Sequence, residues 1–532
     1  MVNDITDGPL RHLLLPALLA AWLFAPAAAA ETRALVVGID AYQHISPLHG
    51  AVADAQDIAA ALRRAGVSDL TLRLDADATR ERLTADWQAL MDRAQPGDRL
   101  VFSFAGHGTQ EPERIAGNED DGKDEVLLLG GVSENGAGTR ERIPDDELNQ
   151  WFRDAAARGL DVLFVADSCH SGTLTRDIDP RAGQGSARYT AYSVSDDLLE
   201  LDMPPAPSER DAGDLPGLTF LAAGQEHEQV PEVDLFDVDG RRARRGALSW
   251  AFARALEGAA DRDSDGQLTR EELNRFVRAN VRAIADSRQT PNLLPVAADT
   301  RVVVPLAGAS ARSGPGSTAL PQARLRIEGT DAASAAALLR DLSGTVPAAG
   351  PDAVDLVFDI RRREAVSGRG DILARDLDPT RPALQSVIDA WRGVERLKLE
   401  RLGDRLSMRV FPDDGLHHRG RTIAFEIDDI LLPYLVFFSL SGDGTVHFHY
   451  PFPGDPPTLP AGRPVRVEFQ VTPPFGADHI IAVASDASLD QLAADLKAID
   501  GRRAARQAIE AVLAITRQGR RQLGLQGLYT AP

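Results

Sequence analysis

Two short segments of this chain bring together residue types that can cleave an amide bond. Phe104-Ala105-Gly106-His107-Gly108-Thr109-Gln110 closes one apolar run, and Ala166-Asp167-Ser168-Cys169-His170-Ser171-Gly172 closes another. A cysteine attacks as its thiolate, and a neighbouring imidazole serves first as base and then as the acid that protonates the leaving amine. This chemistry selects His107 and Cys169. Gly106, Gly108 and Gly172 allow sharp turns beside them, where the amides of Gly108 and Cys169 can point at a developing oxyanion. Cys169 is the single cysteine in 532 residues, so an intrachain disulfide is excluded and a redox role lacks a resolving thiol.

Both segments need elements that bring them together. Residues 33–225 alternate strand and helix signals: RALVVGID (33–40), LTLRLD (70–75), RLVFSFAG (99–106), VLFVADS (162–168) and LTFLAAG (218–224) read as strands, with helices over 50–66, 79–94 and 145–157. Strands separated by helices predict a mostly parallel sheet covered on both faces, with chemistry gathered outside its carboxyl edge. If the strands ending at His107 and Cys169 are adjacent, the two side chains meet there.

The pair FAGHGTQ and DSCHSG, in the order His then Cys and each at a strand end, resembles the caspase-fold cysteine peptidases. Within them it is similar to the bacterial metacaspase-like (orthocaspase) branch, over about residues 33–305. The resemblance implies a caspase-like α/β fold with His107 as general acid/base, Cys169 as nucleophile, and the Gly108 and Cys169 amides as oxyanion hole. It also implies cleavage after Arg or Lys, with carboxylates in the primary pocket. Asp167 lies two residues before Cys169, and GAVADA (50–55) resembles a family segment whose Asp, here Asp54, lines that pocket. Ala51 and Ala105 stand where many relatives have Cys and Ser.

Further segments are read with their alternatives. Asn118-Glu119-Asp120-Asp121-Gly122-Lys123-Asp124-Glu125 resembles a family stretch whose acids hold an activating calcium, which makes Asp120 and Asp121 candidate ligands; a solvated loop is the rival reading. Asp261, Asp263, Asp265, Gln267 through its carbonyl, and Glu272 match the spacing of an EF-hand loop, although it is a lone loop. Calcium is the candidate ion, and the peptidase chemistry itself requires no cofactor. A self-processing site would follow a base, for which Arg176, Arg181 and Arg188 after the nucleophile and Arg245 in RRARR are candidates. His447 and His449 share one face of a strand, which reads as an exposed face rather than a metal pair.

Organisation and charge complete the reading. Leu13 to Ala30 is uncharged and ends in three alanines, which reads as a signal peptide over 1–30 and predicts an exported protein, periplasmic or secreted, with no stable membrane span after cleavage. The peptidase domain is expected at 31–306, a linker at 307–322, a mixed α/β region at 323–415, a β-rich domain at 416–490, and a helical tail at 491–532. The last regions resemble accessory domains that follow bacterial caspase-like units, with an unknown protein partner.

The formal net charge is −21, from 58 Lys+Arg against 79 Asp+Glu, which excludes general attraction to nucleic acid. Residues 196–239 contribute thirteen acids and one base, and residues 111–125 seven acids and two bases. Acid concentrated next to the two strand-end loops favours basic peptide or protein substrates. The rival function is a non-catalytic, calcium-responsive scaffold of the cell envelope.

Overall fold

Long apolar runs suit strands that are covered on both faces, and four of them, beside one alternating half-buried edge strand, form the centre of the first unit. These are β1 (Thr32–Gly38), β2 (Asp69–Leu74), β3 (Arg99–Ala105), and then, beyond a small antiparallel sheet of β4 (Gly108–Pro112), β5 (Lys123–Leu128) and β6 (Arg142–Pro144), β7 (Asp161–Asp167) and β8 (Leu218–Ala222). In this computed structural model the described residues are 30–113, 122–169, 188, 215, 217–225, 228, 230–236, 242–295, 299–306, 320–350, 353–413, 415–456 and 458–532. Almost all of the expected leader and linker, together with Asp120, Asp121, His170, Arg176 and Arg181, lie outside them.

The large sheet runs β2-β1-β3-β7-β8, all parallel, and ends in the short antiparallel β12 (Asn292–Leu294). Between β8 and β12 come the hairpin of β9 (Glu232–Phe236) with β10 (Arg242–Gly246), and β11 (Gln267–Thr269), which pairs with β13 (Val302–Pro305). One face is covered by α1 (Ala51–Arg64), α4 (Ala247–Arg254) and α5 (Arg270–Ile284), whose Ile58, Leu62, Phe252 and Phe276 join its core. The other is covered by α2 (Arg80–Arg93) and α3 (Asp145–Ala157) through Leu83, Trp87, Trp151 and Phe152. This is the expected mostly parallel sheet covered by helices on both faces.

The second unit begins with the sheet β15-β14-β16-β17-β18, built from β14 (Ala323–Glu328), β15 (Thr345–Pro347), β16 (Leu356–Asp359), β17 (Glu364–Ser367) and β18 (Ile372–Ala374) with α6 (Ala332–Asp341). After α7 (Arg381–Leu397) the chain forms β19 (Ser407–Phe411), β20 (His417–His418), β21 (Thr422–Asp428), β22 (Tyr434–Leu440), β23 (Thr445–Tyr450), β24 (Val465–Gln470) and β25 (Ala477–Ser485). Strand pairing crosses residues 415 and 416, because β19 lies beside β21.

The helical tail expected at 491–532 is corrected by the structure. Helices α8 (Asp490–Ala498) and α9 (Ala505–Thr516) are there, separated by β26 (Arg502–Arg503), but Arg521–Ala531 is an eleven-residue strand, β27, paired along its length with β25. Its Leu523 and Leu525 face the helices while Leu528 enters the core between the two sheets. Gly524 and Gly527 let it lie against Met408 and the Asp286 backbone, where a Cβ would collide. His449 is also corrected: it is half-buried, stacked on Phe469 at 4.8 Å, with Nε2 2.8 Å from the Ser439 hydroxyl. Among the described residues no helix is long and apolar enough to cross a membrane.

Candidate active site

Parallel pairing of β3 with β7 puts Ala105 opposite Asp167. Two residues beyond these partners stand His107 and Cys169, at the carboxyl edge where the reading placed them. Both are buried. The His107 ring packs on Tyr42 at 4.8 Å, and its Nε2 lies 2.9 Å from the Ser46 carbonyl. A carbonyl can only accept, so Nε2 carries the proton and Nδ1, which has no hydrogen-bond partner, is left as the base. Burial lowers the imidazole's pKa below its ordinary value, although the Ser46 and Arg188 backbones pull the other way. The Cys169 thiol donates to the Glu228 carbonyl at 3.5 Å.

The loop that carries Ser46 is held by two aspartates that the sequence reading passed over. The Asp40 carboxylate accepts the Ala51 amide at 2.8 Å and so supplies the cap that Gly50 lacks at the start of α1. The Asp75 carboxylate accepts the Asp40 and Ala41 amides at 2.8 Å each.

Arg188 occupies this edge. Its carbonyl oxygen accepts the Gly108 amide at 3.1 Å and the Cys169 amide at 3.3 Å, the two donors assigned to an oxyanion, and its own amide donates to the Val230 carbonyl at 3.0 Å. Its side chain has no exposed surface. One guanidinium nitrogen bonds Asp54, and the other lies 3.1 Å from the Asp167 carboxylate and 2.9 Å from the Asp167 carbonyl. Asp54 and Asp167 are in turn held by the amides of Gly246 (2.7 Å) and Ser249 (2.8 Å). Gly246 is required by space, since a Cβ there would collide with the Asp167 carboxylate and the Arg188 guanidinium.

A third carboxylate was missed. Glu232 lies 3.8 Å from Arg188 with no exposed side-chain surface, and it accepts the Gly50 amide at 2.7 Å and the His49 amide at 3.1 Å. In the sequence it is one of thirteen acids in 196–239, and only the pairing of β9 with β10, which sets Glu232 opposite Gly246, marks it out. Burial pushes the Asp54 carboxyl up to about 7 against the pull of Arg188. Burial also disfavours the charged guanidinium of Arg188, but Asp167, Asp54 and Glu232 outweigh it and hold the group protonated. Arg245 also lies 3.5 Å from Asp54, and three buried carboxylates brought together in this way need a cation beside them.

The remaining candidates fall elsewhere. Arg245 is not in the cleft but in β10, with its side chain between Asp54 and Asp57. In the EF-hand-like loop, Asp261, Asp263 and Asp265 bring one oxygen each within 4.8 Å of one another. Glu272 is engaged differently, closing a capping box on Thr269 and accepting the Arg262 amide at 3.0 Å, and the Gln267 side chain donates to Asp265. Leu268 of this loop pairs with Val304 of β13.

The arrangement therefore offers a thiol, an imidazole with a free acceptor nitrogen, two amides on one carbonyl oxygen, and an acidic pocket beside them. Residues 32–177 match the family model described as the metacaspase, peptidase C14 domain. Metacaspase-1 of Pyricularia oryzae is 32% identical over 155 residues, which are 27% of this chain and 37% of that protein. Metacaspase-1B of Aspergillus fumigatus is 28% identical over 264 residues, 42% of this chain and 62% of that protein. The chain thus spans between about a third and two thirds of the length of these curated relatives. Among solved structures, protein GSU0716 from Geobacter sulfurreducens has a TM-score of 0.38 at 22% identity over 52% of this chain and 99% of that one. Caspase-1 from Spodoptera frugiperda has 0.32 at 12% over 52% and 92%. Over these residues the first unit is similar to the cysteine-type peptidase domain of metacaspases.

Proposed function

We propose that this chain is a cysteine endopeptidase that hydrolyses peptide bonds after Arg or Lys and cuts itself after Arg188. The observation that carries the reading is Arg188 itself: its guanidinium lies on Asp54 and Asp167 while its carbonyl oxygen rests on the Gly108 and Cys169 amides. That is how a peptide must lie if the bond after its basic residue is to be cut. His107 Nδ1 takes the thiol proton, and Cys169 Sγ bonds to the carbonyl carbon. The negative charge gathers on the oxygen held by the two amides. As the C–N bond breaks, His107 returns the proton to the leaving amine, leaving a thioester. Water, deprotonated by the same imidazole, then releases the carboxylate and restores the thiol.

The pocket favours arginine over lysine. A planar fork reaches two carboxylates at once, whereas an ammonium is one point charge. Hydrolysis of fluorogenic peptides ending in Arg, Lys and Asp by wild type and Cys169→Ala tests the reading. Expected is the order Arg, Lys, then no cleavage after Asp, and no activity in Cys169→Ala. Equal rates for the three peptides, or an active Cys169→Ala, would overturn it. Intact mass should also show scission between Arg188 and Tyr189 in wild type alone.

Calcium is a further part of the proposal. Asp261, Asp263 and Asp265 fit a hard cation that takes oxygen ligands, and Glu272 would have to leave its cap to join them. Titration calorimetry should show heat with wild type that Asp263→Ala loses. Export through the Leu13–Ala30 leader is proposed on sequence alone.

A further inference from the structure

The β9–β10 hairpin has two ends with different partners. At its base, Glu232 and Gly246 wall the basic-residue pocket, and Glu232 holds the loop before α1 through the His49 and Gly50 amides. Further along, the hairpin leaves the first unit. Arg242 makes a forked contact with Asp355, with one bond of 2.7 Å, and also lies 3.4 Å from Asp234. Arg324 donates to Asp355 at 2.9 Å and to Asp234 at 3.1 Å. Arg244 completes the group, bonding Asp234 at 3.1 Å. Asp355 is almost wholly buried and also accepts the Arg324 backbone amide at 2.7 Å.

The second unit thus contributes one acid and one base to a cluster whose other members are hairpin side chains. Arg244 and Arg324 both bear on Asp234, so the cluster sets where that strand lies, and Asp234 is two residues from Glu232 on the same side of it. A forked ion pair adds geometric specificity, and removing Asp355, whose side chain is almost wholly buried, takes away the carboxylate that Arg242 and Arg324 share.

We infer that Asp355 and Arg324 are positioning residues for the substrate pocket: the second unit holds the β9–β10 hairpin so that Glu232 and Gly246 face the basic side chain. The second unit is then part of the specificity apparatus, through contacts further along the hairpin than the residues that wall the pocket. The inference rests on the proposed specificity for basic residues.

The test compares full-length wild type, Asp355→Asn, Asp355→Glu and Asp429→Asn. The last breaks a different ion pair between the units, with Arg262 at 3.1 Å and Arg275 at 3.6 Å, and does not touch the hairpin. Steady-state hydrolysis of an Arg-ending peptide, peptide-level hydrogen exchange over 232–246 and thermal unfolding are measured for each. Asp355→Asn is expected to raise KM about five- to tenfold with kcat within about twofold, and to speed exchange of the hairpin. Asp355→Glu should recover most of the KM, and Asp429→Asn should change neither.

An unchanged KM or an unchanged hairpin exchange in Asp355→Asn overturns the inference, as does a KM change shared by Asp429→Asn. If wild type cleaves no Arg-ending peptide, it is the functional reading that falls, and the exchange comparison alone then decides whether Asp355 holds the hairpin.

Discussion

The edge proposed for catalysis and the pocket proposed for a basic side chain are neighbours built in opposite ways. His107 and Cys169 each sit two residues beyond an apolar strand, and one parallel pairing, β3 with β7, brings them together. The pocket instead draws Asp54 from α1, Asp167 from the end of β7, Glu232 from β9 and Gly246 from β10. Its cation, Arg188, comes from yet another segment. The edge depends on the register of a sheet that is buried on both faces. The pocket depends on a two-stranded hairpin and several backbone amides, so the edge should tolerate changes that the pocket does not.

The largest effect that would sharpen this contrast is at the edge. His107→Ala should lower kcat by about 10³-fold or more while KM for an Arg-ending peptide stays within a few-fold, because the pocket is untouched. A matching rise in KM would show that the two regions are not separable. Next comes Asp54→Asn, which removes one carboxylate of a fully buried group. Breaking such a pair costs about 3 kcal/mol at the least, so KM for Arg-ending peptides should rise by about two orders of magnitude or more with a smaller change in kcat. Glu232→Gln should act in the same direction but only about three- to tenfold, since the carboxylate stands 3.8 Å from the guanidinium and mainly accepts amides.

The smallest effect is on pH dependence. Asp54 is raised to about 7, so its charge is present above that value and is lost as the pH falls through it. KM should therefore rise in acid. His107 is lowered, so it stays an unprotonated base below the ordinary imidazole value of 6.5, and kcat should hold further into acid than KM does. A pH profile in which both parameters fall together would remove the distinction.

The contrast also explains what the sequence made legible. Continuous apolar runs such as LVVG and VLFVA read as buried strands because they are too short for helices, and α3 spans 145–157 as its periodic Leu148, Trp151 and Phe152 required. Glycine-flanked His107 and Cys169 were legible because their chemistry is local. Glu232 was not, because an acid among thirteen looks like solvated surface until a hairpin buries it. Arg242, Arg244 and Arg245 belong to RRARR, which the sequence offers as a segment for self-processing, yet they form a strand in which each has an acidic partner: Asp355, Asp234 and Asp54. The strand Arg521–Ala531 was hidden for a related reason. Its glutamines and glycines look unsuited to a core, but Gln522 and Gln526 bond the Asp429 carbonyl and the Gly527 carbonyl, and the glycines permit close backbone contact.

The placement of Arg188 has a kinetic consequence. A basic residue carried on the same chain as its pocket meets that pocket at an effective concentration on the order of millimolar, whatever the protein concentration in solution. On the proposed function, external peptides compete with it, and weak ones are refused until the tether is cut or withdrawn. Self-scission of this kind is first-order: its half-time should not change on dilution. The first turnover then acts as a timer, and later turnovers follow ordinary competition among substrates.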